Sequence, residues 1–183
     1  MEHIIWRHIK GQSLEYCRFT FGAETAVAGE IVGDLSGLRG ALAYEVHCRP
    51  DGSTHWARGR VHHERGDIFW TVRREENGIW LVNGEPHPSL KSCQDVDIGV
   101  TPSTNTLPVR RLHLDVGASQ EFSSAWVRFP DLTVHALVQR YTRLSPDVYR
   151  YESLASGFQA TLRVDAHGIV QDYNGLWTSL SAD

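Results

Sequence analysis

The stretch Gly40-Ala-Leu-Ala-Tyr-Glu-Val-His-Cys48 alternates with the period of an extended strand. Successive side chains of a strand point to opposite faces, so one face collects Leu42, Tyr44, Val46 and Cys48. The Arg-Pro-Asp-Gly sequence that follows is typical of a turn, and alternation resumes directly after it. The stretch therefore predicts one arm of an antiparallel hairpin.

The same alternation recurs along the chain, in runs that Gly, Pro, Asp or Asn closes within about ten residues. Residues 66–73 and 78–82 are joined through Asn77-Gly78, a pair that favours the positive φ angles of a tight hairpin. Because long amphipathic helical periodicity is absent, the sequence predicts an all-β, antiparallel fold. Further strands are predicted at residues 132–141, 149–154, 158–164 and 169–173.

The length of the chain, 183 residues, suits one domain with a sizeable core. We therefore expect residues 1–183 to form a single all-β domain. A faint internal similarity relates residues 40–84 to residues 132–175, because Thr71-Val-Arg73 and Thr161-Leu-Arg163 are followed by turns of similar composition. A true duplication predicts two similar β-meanders, and chance likeness of strands and turns is the alternative.

The composition is that of an ordinary globular protein, with 41% hydrophobic and 22% charged residues. A formal net charge of -4 and a scarcity of lysine give no general attraction for phosphate backbones, so nucleic acid is not an expected partner. We expect no transmembrane segment, because no apolar run approaches the roughly 20 residues that span a bilayer. We expect no secretory signal, because the N-terminus has an acid at its second position and only a few apolar residues before Arg7. The cysteines Cys17, Cys48 and Cys93 predict reduced thiols and a cytoplasmic location. The sequence sets no expectation for the oligomeric state.

The least ordinary stretch, DVDIGVTPSTNTLPVRRL, covers residues 95–112. Period-two alternation predicts one strand over residues 93–100 and another over residues 109–116. A polar loop bracketed by Pro102 and Pro108 separates them, so we expect the two strands to pair as a hairpin.

The predicted hairpin sorts its charged residues by face. If the two apolar faces superpose, Arg111 and His113 lie on the side of Asp95 and Asp97. These four side chains then form a polar network that holds the strand register. Arg110 falls on the opposite, apolar face, where a guanidinium must be paired, hydrogen-bonded or at the mouth of a cavity.

Arg110 and the polar loop are therefore candidates for a ligand site. The guanidinium can receive an anionic or polyol head group, or it can form a buried ion pair with one of the two aspartates or another acid. In the loop, Thr104, Asn105 and Thr106 can hydrogen-bond a hydroxyl-rich ligand such as a sugar, or they can fix their own backbone.

The run Cys-x-Asp-Val-Asp-Ile, followed by Thr-Pro-x-Thr-Asn-Thr-Leu-Pro-Val-Arg-Arg-Leu, resembles the signature of the bacterial family described as "putative glycolipid-binding". The likeness extends to Trp6, to residues 56–58, to residues 132–141 and to residues 164–173. The family usually has an aromatic residue where this chain has Ser103. The resemblance implies a curved sheet, a spiral β-roll or open half-barrel, of the general shape that holds amphiphiles.

A second candidate binding element is the predicted strand that carries Trp56 and Arg58. Six tryptophans and six tyrosines can line a cavity with apolar walls and polar tips, and they can equally fill a core. For the Trp56 and Arg58 pair, ordinary surface packing is the alternative. The histidines show no recognisable metal-ligand spacing, so neither a metal nor another cofactor is expected.

The leading functional hypothesis is a non-catalytic protein that holds a small amphiphile, such as a glycolipid. Its apolar tail would occupy the cavity of the roll, and its head group would lie near Arg110 and the polar loop. A first alternative is a hydrolase or isomerase that acts on a glycolipid or sugar ester through Asp95, Asp97 and His113. A second alternative is an interaction module that uses an exposed sheet edge and has no small ligand.

Overall fold

A computed structural model describes residues 1–11 and 13–180. The described residues form fifteen strands, one α-helix and two 3-10 helices. The first eight strands are β1 (Glu2–His8), β2 (Leu14–Thr20), β3 (Ala26–Asp34), β4 (Arg39–Cys48), β5 (Thr54–His63), β6 (Gly66–Arg74), β7 (Trp80–Val82) and β8 (Glu85–Pro86). The middle elements are the 3-10 helix Pro88–Leu90, β9 (Cys93–Ile98), the 3-10 helix Ser103–Asn105 and α1 (Thr106–Leu112). The last strands are β10 (Ser119–Val127), β11 (Val134–Ser145), β12 (Val148–Ser153), β13 (Phe158–Val164), β14 (Val170–Tyr173) and β15 (Trp177–Ser179).

All the strands of the described chain belong to one sheet, in the order β8-β7-β6-β5-β4-β3-β2-β1-β15-β14-β13-β12-β11-β10-β9. Neighbours in the sheet are antiparallel, except that β9 and β10 run parallel. The predicted all-β class is confirmed. The hairpin predicted from residue 40 onward is β4–β5, and the hairpin predicted through Asn77-Gly78 is β6–β7.

The sheet is strongly curved, because its two edge strands are consecutive in the chain. Laid flat, fifteen strands at about 4.8 Å spacing would separate β8 from β9 by about 67 Å. The six residues 87–92 that connect them can span only about 25 Å. Two hydrogen bonds show the sheet curling back on itself: Trp80 Nε1 donates to the Cys93 carbonyl at 3.1 Å, and the Val96 amide donates to Thr54 Oγ1 at 2.9 Å. The predicted curved, open half-barrel is confirmed, and we call it the roll.

The inner face of the roll carries the core. Alternation sends every second side chain inward, and the largest fully buried ones include Trp6, Trp80 and Phe19. Glycine allows two aromatic rings to lie flat against this face. A Cβ atom at Gly29 would stand 2.3 Å from Tyr44 Cζ, and a Cβ atom at Gly59 would stand 2.5 Å from Trp70 Cε2. In β3 and β5 these two positions therefore require glycine.

The predicted hairpin of residues 93–100 and 109–116 is wrong. The first strand exists as β9, but its partner is β10, and residues 106–112 form the helix α1. A mixed run of seven residues fits about two helical turns as well as a strand, so its periodicity does not separate the two. Pro108 is compatible with the helix because its position in the first turn has no intrahelical acceptor for an N–H. Parallel pairing of β9 with β10 also requires a crossover connection, which the segment supplies.

The segment 101–112, which we call the plug, fills the hollow of the roll. Most of its residues are buried, including Ser103, Thr106 and Leu107. It contacts β2 and β4 through the polar groups of Thr101 and Ser103, and β11 through Asn105. The plug thus touches strands from both flanks of the sheet. In the part of the chain that the structure describes, no helix has the length and apolar character needed to cross a membrane.

Candidate functional site

A groove of about 370 Å³ lies where the plug meets the inner face of the C-terminal strands. Its polar lining residues are Asp97 of β9, Thr101 and Asn105 of the plug, Ser153 and Ser156. Its apolar lining consists of Gly99, Trp126, Leu137, Tyr151, Ala155, Phe158, Tyr173, Leu176 and Trp177. Because motif residues and aromatic rings meet here, we treat this groove as the candidate functional site.

The aromatic wall follows from strand register. Tyr151 of β12 lies opposite Tyr141 of β11, with ring centroids 5.4 Å apart and the planes nearly perpendicular. The Tyr151 ring also lies 6.1 Å from the rings of both Phe158 and Tyr173. Tyr151 and Tyr173 are buried, whereas Phe158 is 40% exposed and stands at the rim. Offset and edge-on contacts of this kind make a rigid apolar surface with hydroxyl tips.

Asp97 brings a carboxylate into this apolar surface. The Gln139 amide donates a hydrogen bond to its Oδ2, and the Ser124 hydroxyl donates to Gln139 Oε1 at 3.4 Å, which orients the amide. Burial raises the pKa of Asp97 to about 6, against the lowering effect of the Gln139 hydrogen bond. The nearby Asp95 charge adds to the rise. At neutral pH the groove therefore holds a mostly ionised, partly buried carboxylate.

Asn105 is held in a single orientation at the other side of the groove. The Tyr141 hydroxyl donates to its Oδ1 at 2.7 Å, and its Nδ2 donates to the Pro102 carbonyl at 3.2 Å. An amide nitrogen carries two hydrogens, so one donor remains for a ligand. Among the loop residues predicted as ligand contacts, Asn105 is the one that lines the groove.

Gly99 shapes the groove by leaving room for Trp126. A Cβ atom at Gly99 would stand 2.6 Å from Trp126 Nε1 and 3.3 Å from the Val127 carbonyl oxygen. The indole therefore lies directly against the backbone of the β9 end. Any side chain at Gly99 would displace this ring and change the wall.

The plug is anchored behind the groove by a buried polar cluster of Glu15, Tyr44, Thr101 and Ser103. Thr101 Oγ1 donates to Glu15 Oε1 at 2.7 Å, and the Tyr44 hydroxyl donates to the same oxygen. Ser103 Oγ lies 2.5 Å from the Tyr44 hydroxyl. Burial raises the pKa of Glu15 to about 8, opposed by the hydrogen bonds from Tyr44 and Thr101. Glu15 is thus predominantly protonated at neutral pH, which suits its enclosed position.

Asp95 and Arg111, two members of the predicted polar network, form a buried ion pair. Arg111 Nη2 donates to Asp95 Oδ2 at 2.6 Å, and Arg111 Nε donates to Oδ1 at 3.0 Å. Burial raises the pKa of Asp95, and the Arg111 guanidinium opposes the rise. Because the pairing joins a strand to a helix, it ties the plug to β9 instead of fixing a hairpin register. The other two members lie apart from this pair, since Asp97 bonds to Gln139 and His113 is exposed.

Arg110 lies outside the groove, at the far end of the plug. Its guanidinium carbon stands 3.9 Å from the centroid of the Phe21 ring, and its Nη1 donates to the His167 carbonyl at 2.6 Å. With Arg111 and His113 it lines a separate cavity of about 230 Å³. Burial lowers the pKa of Arg110, and the charge of Asp165 opposes this. Arg110 thus joins the plug to the β2–β3 turn and the β13–β14 turn.

Thr104 and Thr106 are buried inside the roll. Thr104 Oγ1 accepts a hydrogen bond from the Ile98 amide at 3.2 Å, which caps the end of β9. Thr106 is fully buried, and its hydroxyl has no hydrogen-bond partner among the described residues. The geometry therefore gives both threonines positions behind the groove, within the body of the plug.

Trp56 and Arg58 lie on the outer face of the sheet, away from the groove. Trp56 stacks on His47 of β4, with ring centroids 4.0 Å apart and an interplanar angle of 18°. Arg58 pairs with Glu45 at 2.7 Å, and both side chains are solvent-exposed. Such cross-strand pairs stabilise a sheet surface. Arg58 also borders a broad outer depression of about 590 Å³.

The residues proposed for catalysis in the enzyme alternative do not converge. Asp97 lines the groove, His113 lines the separate cavity at the other end of the plug, and Asp95 is occupied by Arg111. No group of three His, Cys, Asp or Glu side chains in the described ranges is placed to hold a metal ion.

Sequence reasoning missed the aromatic wall and the buried glutamate. A signal for both was present. In the strand that begins at Leu14, alternation puts Glu15 on the same face as Cys17 and Phe19, which predicts a buried carboxylate. In β12, alternation likewise puts Tyr151 on the inward face with Tyr149.

Comparison with known proteins agrees with this architecture. A family model whose description reads "putative glycolipid-binding" matches residues 3–179. Among solved structures, the crystal structure of a DUF1089 family protein from Pseudomonas aeruginosa is similar, with 32% sequence identity and a TM-score of 0.78. The similarity covers 91% of this chain and 92% of that chain. A search of curated proteins found no match.

Proposed function

This chain belongs to the family described as "putative glycolipid-binding", and we propose that it binds a glycolipid-like amphiphile in the groove between the plug and the C-terminal strands. In this proposal the sugar ring lies against the aromatic wall. Its hydroxyls hydrogen-bond to Asp97 and Asn105, and the alkyl chain leaves past Phe158 at the rim. The role is binding without catalysis.

The observation that carries the proposal is the combination of one partly buried carboxylate, Asp97, with an aromatic surface. Ligand sites are mostly apolar and contain a few fixed polar groups that orient the ligand. Asp97 and Asn105 are such groups, because Gln139 and Tyr141 hold them in place. Sugar rings present both apolar faces and hydroxyl edges, so they match a surface of this composition.

The location differs from the sequence-based hypothesis, in which the tail entered the hollow of the roll. The plug occupies that hollow, with Thr106 and Leu107 buried at its centre. A groove of about 370 Å³ is near the lower end of the size range of ligand pockets, roughly 300–1,000 Å³. It therefore suits a head group and the first part of a chain, and the remainder of the chain would lie at the surface.

The test is titration calorimetry with octyl glucoside below its micelle concentration. We expect saturable binding to the native protein and about tenfold weaker binding to Phe158→Ala, because the variant loses the stacking surface at the rim. Phe69→Ala is the matched control, since Phe69 is an exposed phenylalanine of the outer face. Absence of binding to the native protein, or equal loss in both variants, would overturn the proposal.

A further inference from the structure

Asp97 has no cationic partner within the described part of the chain. The neighbouring acid, Asp95, takes the guanidinium of Arg111, and the hydrogen bond that Asp97 receives comes from the neutral amide of Gln139. The groove lining contains no lysine, arginine or histidine among the described residues. Asp97 is partly buried, and a partly desolvated carboxylate without a countercharge is costly, so a ligand that supplies the charge gains an additional interaction.

The surroundings of Asp97 are also suited to a cation. Asp97 lines the same groove as the rings of Tyr151, Phe158 and Tyr173. Its charge adds to the effect of burial in raising the pKa of Tyr151 and of Tyr173. The faces of aromatic rings are electronegative, and they attract ammonium groups within about 6 Å. A groove lined by a carboxylate and several aromatic rings therefore favours an ammonium over a neutral hydroxyl and disfavours an anion.

We propose that the head group bound in the groove carries a protonated amine, as an amino sugar does, and that this ammonium pairs with the Asp97 carboxylate. The inference rests on the proposed function, because it names the class of head group for the same groove. Asn105 then meets the ring hydroxyls, and the aromatic wall contacts the apolar face of the ring. Phosphorylated or otherwise anionic head groups are rejected, because their charge would face a carboxylate.

The pairing requires both groups to be charged. Asp97 is ionised above its pKa of about 6, and an amine is protonated below its own pKa. The other titratable groups that act on Asp97 or feel its charge are Asp95 of β9, Tyr141 of β11, Tyr151 of β12 and Tyr173 of β14. The tyrosines stay neutral near pH 7, since burial raises the pKa of each. The preference for an amine thus falls as the pH drops through the Asp97 pKa.

The experiment compares two probes that differ in one group, octyl glucoside and its 2-amino-2-deoxy analogue, octyl glucosaminide. Calorimetry at about pH 7 and low salt is expected to show about tenfold tighter binding of the amine, the size of one charge-assisted contact. In Asp97→Asn the ratio of the two affinities falls to about one. Asp172→Asn is the control, because Asp172 precedes Tyr173 and points to the other face of β14.

The outcomes separate the two proposals. If octyl glucoside binds and the amine gives no advantage, the amine inference is overturned and the proposed function stands. If neither probe binds, the proposed function is overturned, and the inference with it. Should Asp97→Asn fail to fold, the native protein still decides, because its amine preference must decline between about pH 7 and pH 5. If the preference for the amine stays constant over this pH range, a group other than Asp97 causes it, and the inference is overturned.

Discussion

The Thr101 hydroxyl donates a hydrogen bond of 2.7 Å to Oε1 of Glu15, although 86 residues separate the two in the chain. Thr101 also lines the groove, so a residue of the candidate site is hydrogen-bonded to the carboxyl group of Glu15 on β2. The protonation of Glu15 therefore bears on how firmly the plug is held.

We expect Glu15→Gln to remove a pH dependence of stability. Burial raises the pKa of Glu15 from 4.5 to about 8, so the folded form holds a proton that the unfolded form releases. The stabilisation is complete below pH 4.5 and is lost as the pH rises to about 8. The free energy of unfolding falls by about 1.4 kcal/mol for each pH unit in this window.

Urea unfolding at several pH values measures this effect. The advantage of Glu15→Gln over the native protein should grow with pH and level off above about 8, where Glu15 is ionised in both states. Glu30→Gln, on the exposed face of β3, is the control and should follow the native curve. Parallel curves for Glu15→Gln and the native protein would contradict the buried, protonated state.

Arg111→Ala is expected to destabilise the protein strongly. It leaves the Asp95 carboxylate buried without its partner, which typically costs about 3–5 kcal/mol. Arg58→Ala breaks an equally short but exposed pair with Glu45 and should cost about 1 kcal/mol or less. Chemical denaturation of the two variants compares them directly, and similar losses would argue against the buried character of the Asp95 pair.

Gly99→Ala should distort the groove and leave the rest of the roll folded. The new methyl group would stand 2.6 Å from Trp126 Nε1, so the indole must move, at a cost of about 1–3 kcal/mol. We expect a changed tryptophan fluorescence spectrum and weaker binding of octyl glucoside. At Gly22 the nearest atom to a new Cβ lies 3.9 Å away, so Gly22→Ala is the control. A fluorescence spectrum for Gly99→Ala equal to that of the native protein would contradict the predicted displacement of Trp126.

Arg110→Ala distinguishes a head-group role from a structural one. Since Arg110 stacks on Phe21 and binds the His167 carbonyl, its loss should lower the free energy of unfolding by about 1–2 kcal/mol. The affinity for octyl glucoside should stay within about twofold of the native value, because Arg110 lies outside the groove. If Arg110→Ala lowered the affinity for octyl glucoside tenfold and left the free energy of unfolding unchanged, Arg110 would be a ligand-binding residue.

Local chemistry made most of the strands predictable. The predicted strand at residues 40–48 is β4 (Arg39–Cys48), and the one at residues 158–164 has the bounds of β13. Both depend on alternation and turn residues within a short stretch. Their order in the sheet is decided by contacts between distant residues, which no local pattern contains.

The helix in the plug could not be predicted from local sequence. Val109 to Leu112 alternates like a strand, but the segment is a helix because Leu107 and Val109 must be buried in the hollow of a roll built by other strands. For the same reason the sequence predicted Arg111 as a partner for the two aspartates but did not predict Gln139 as the partner of Asp97. Arg111 reaches Asp95 from a helix, and Gln139 reaches Asp97 from β11.

The position of β1 and β15 side by side also has a kinetic consequence. Each flank of the sheet grows largely by hairpins between neighbours, but the seam at its centre pairs Trp6 with Ser179. Contacts of such sequence separation are slow to form, because the entropy of closing the loop is lost before any contact compensates for it. We therefore expect pairing of β1 with β15 to be a slow step of folding that follows formation of the hairpins within each flank.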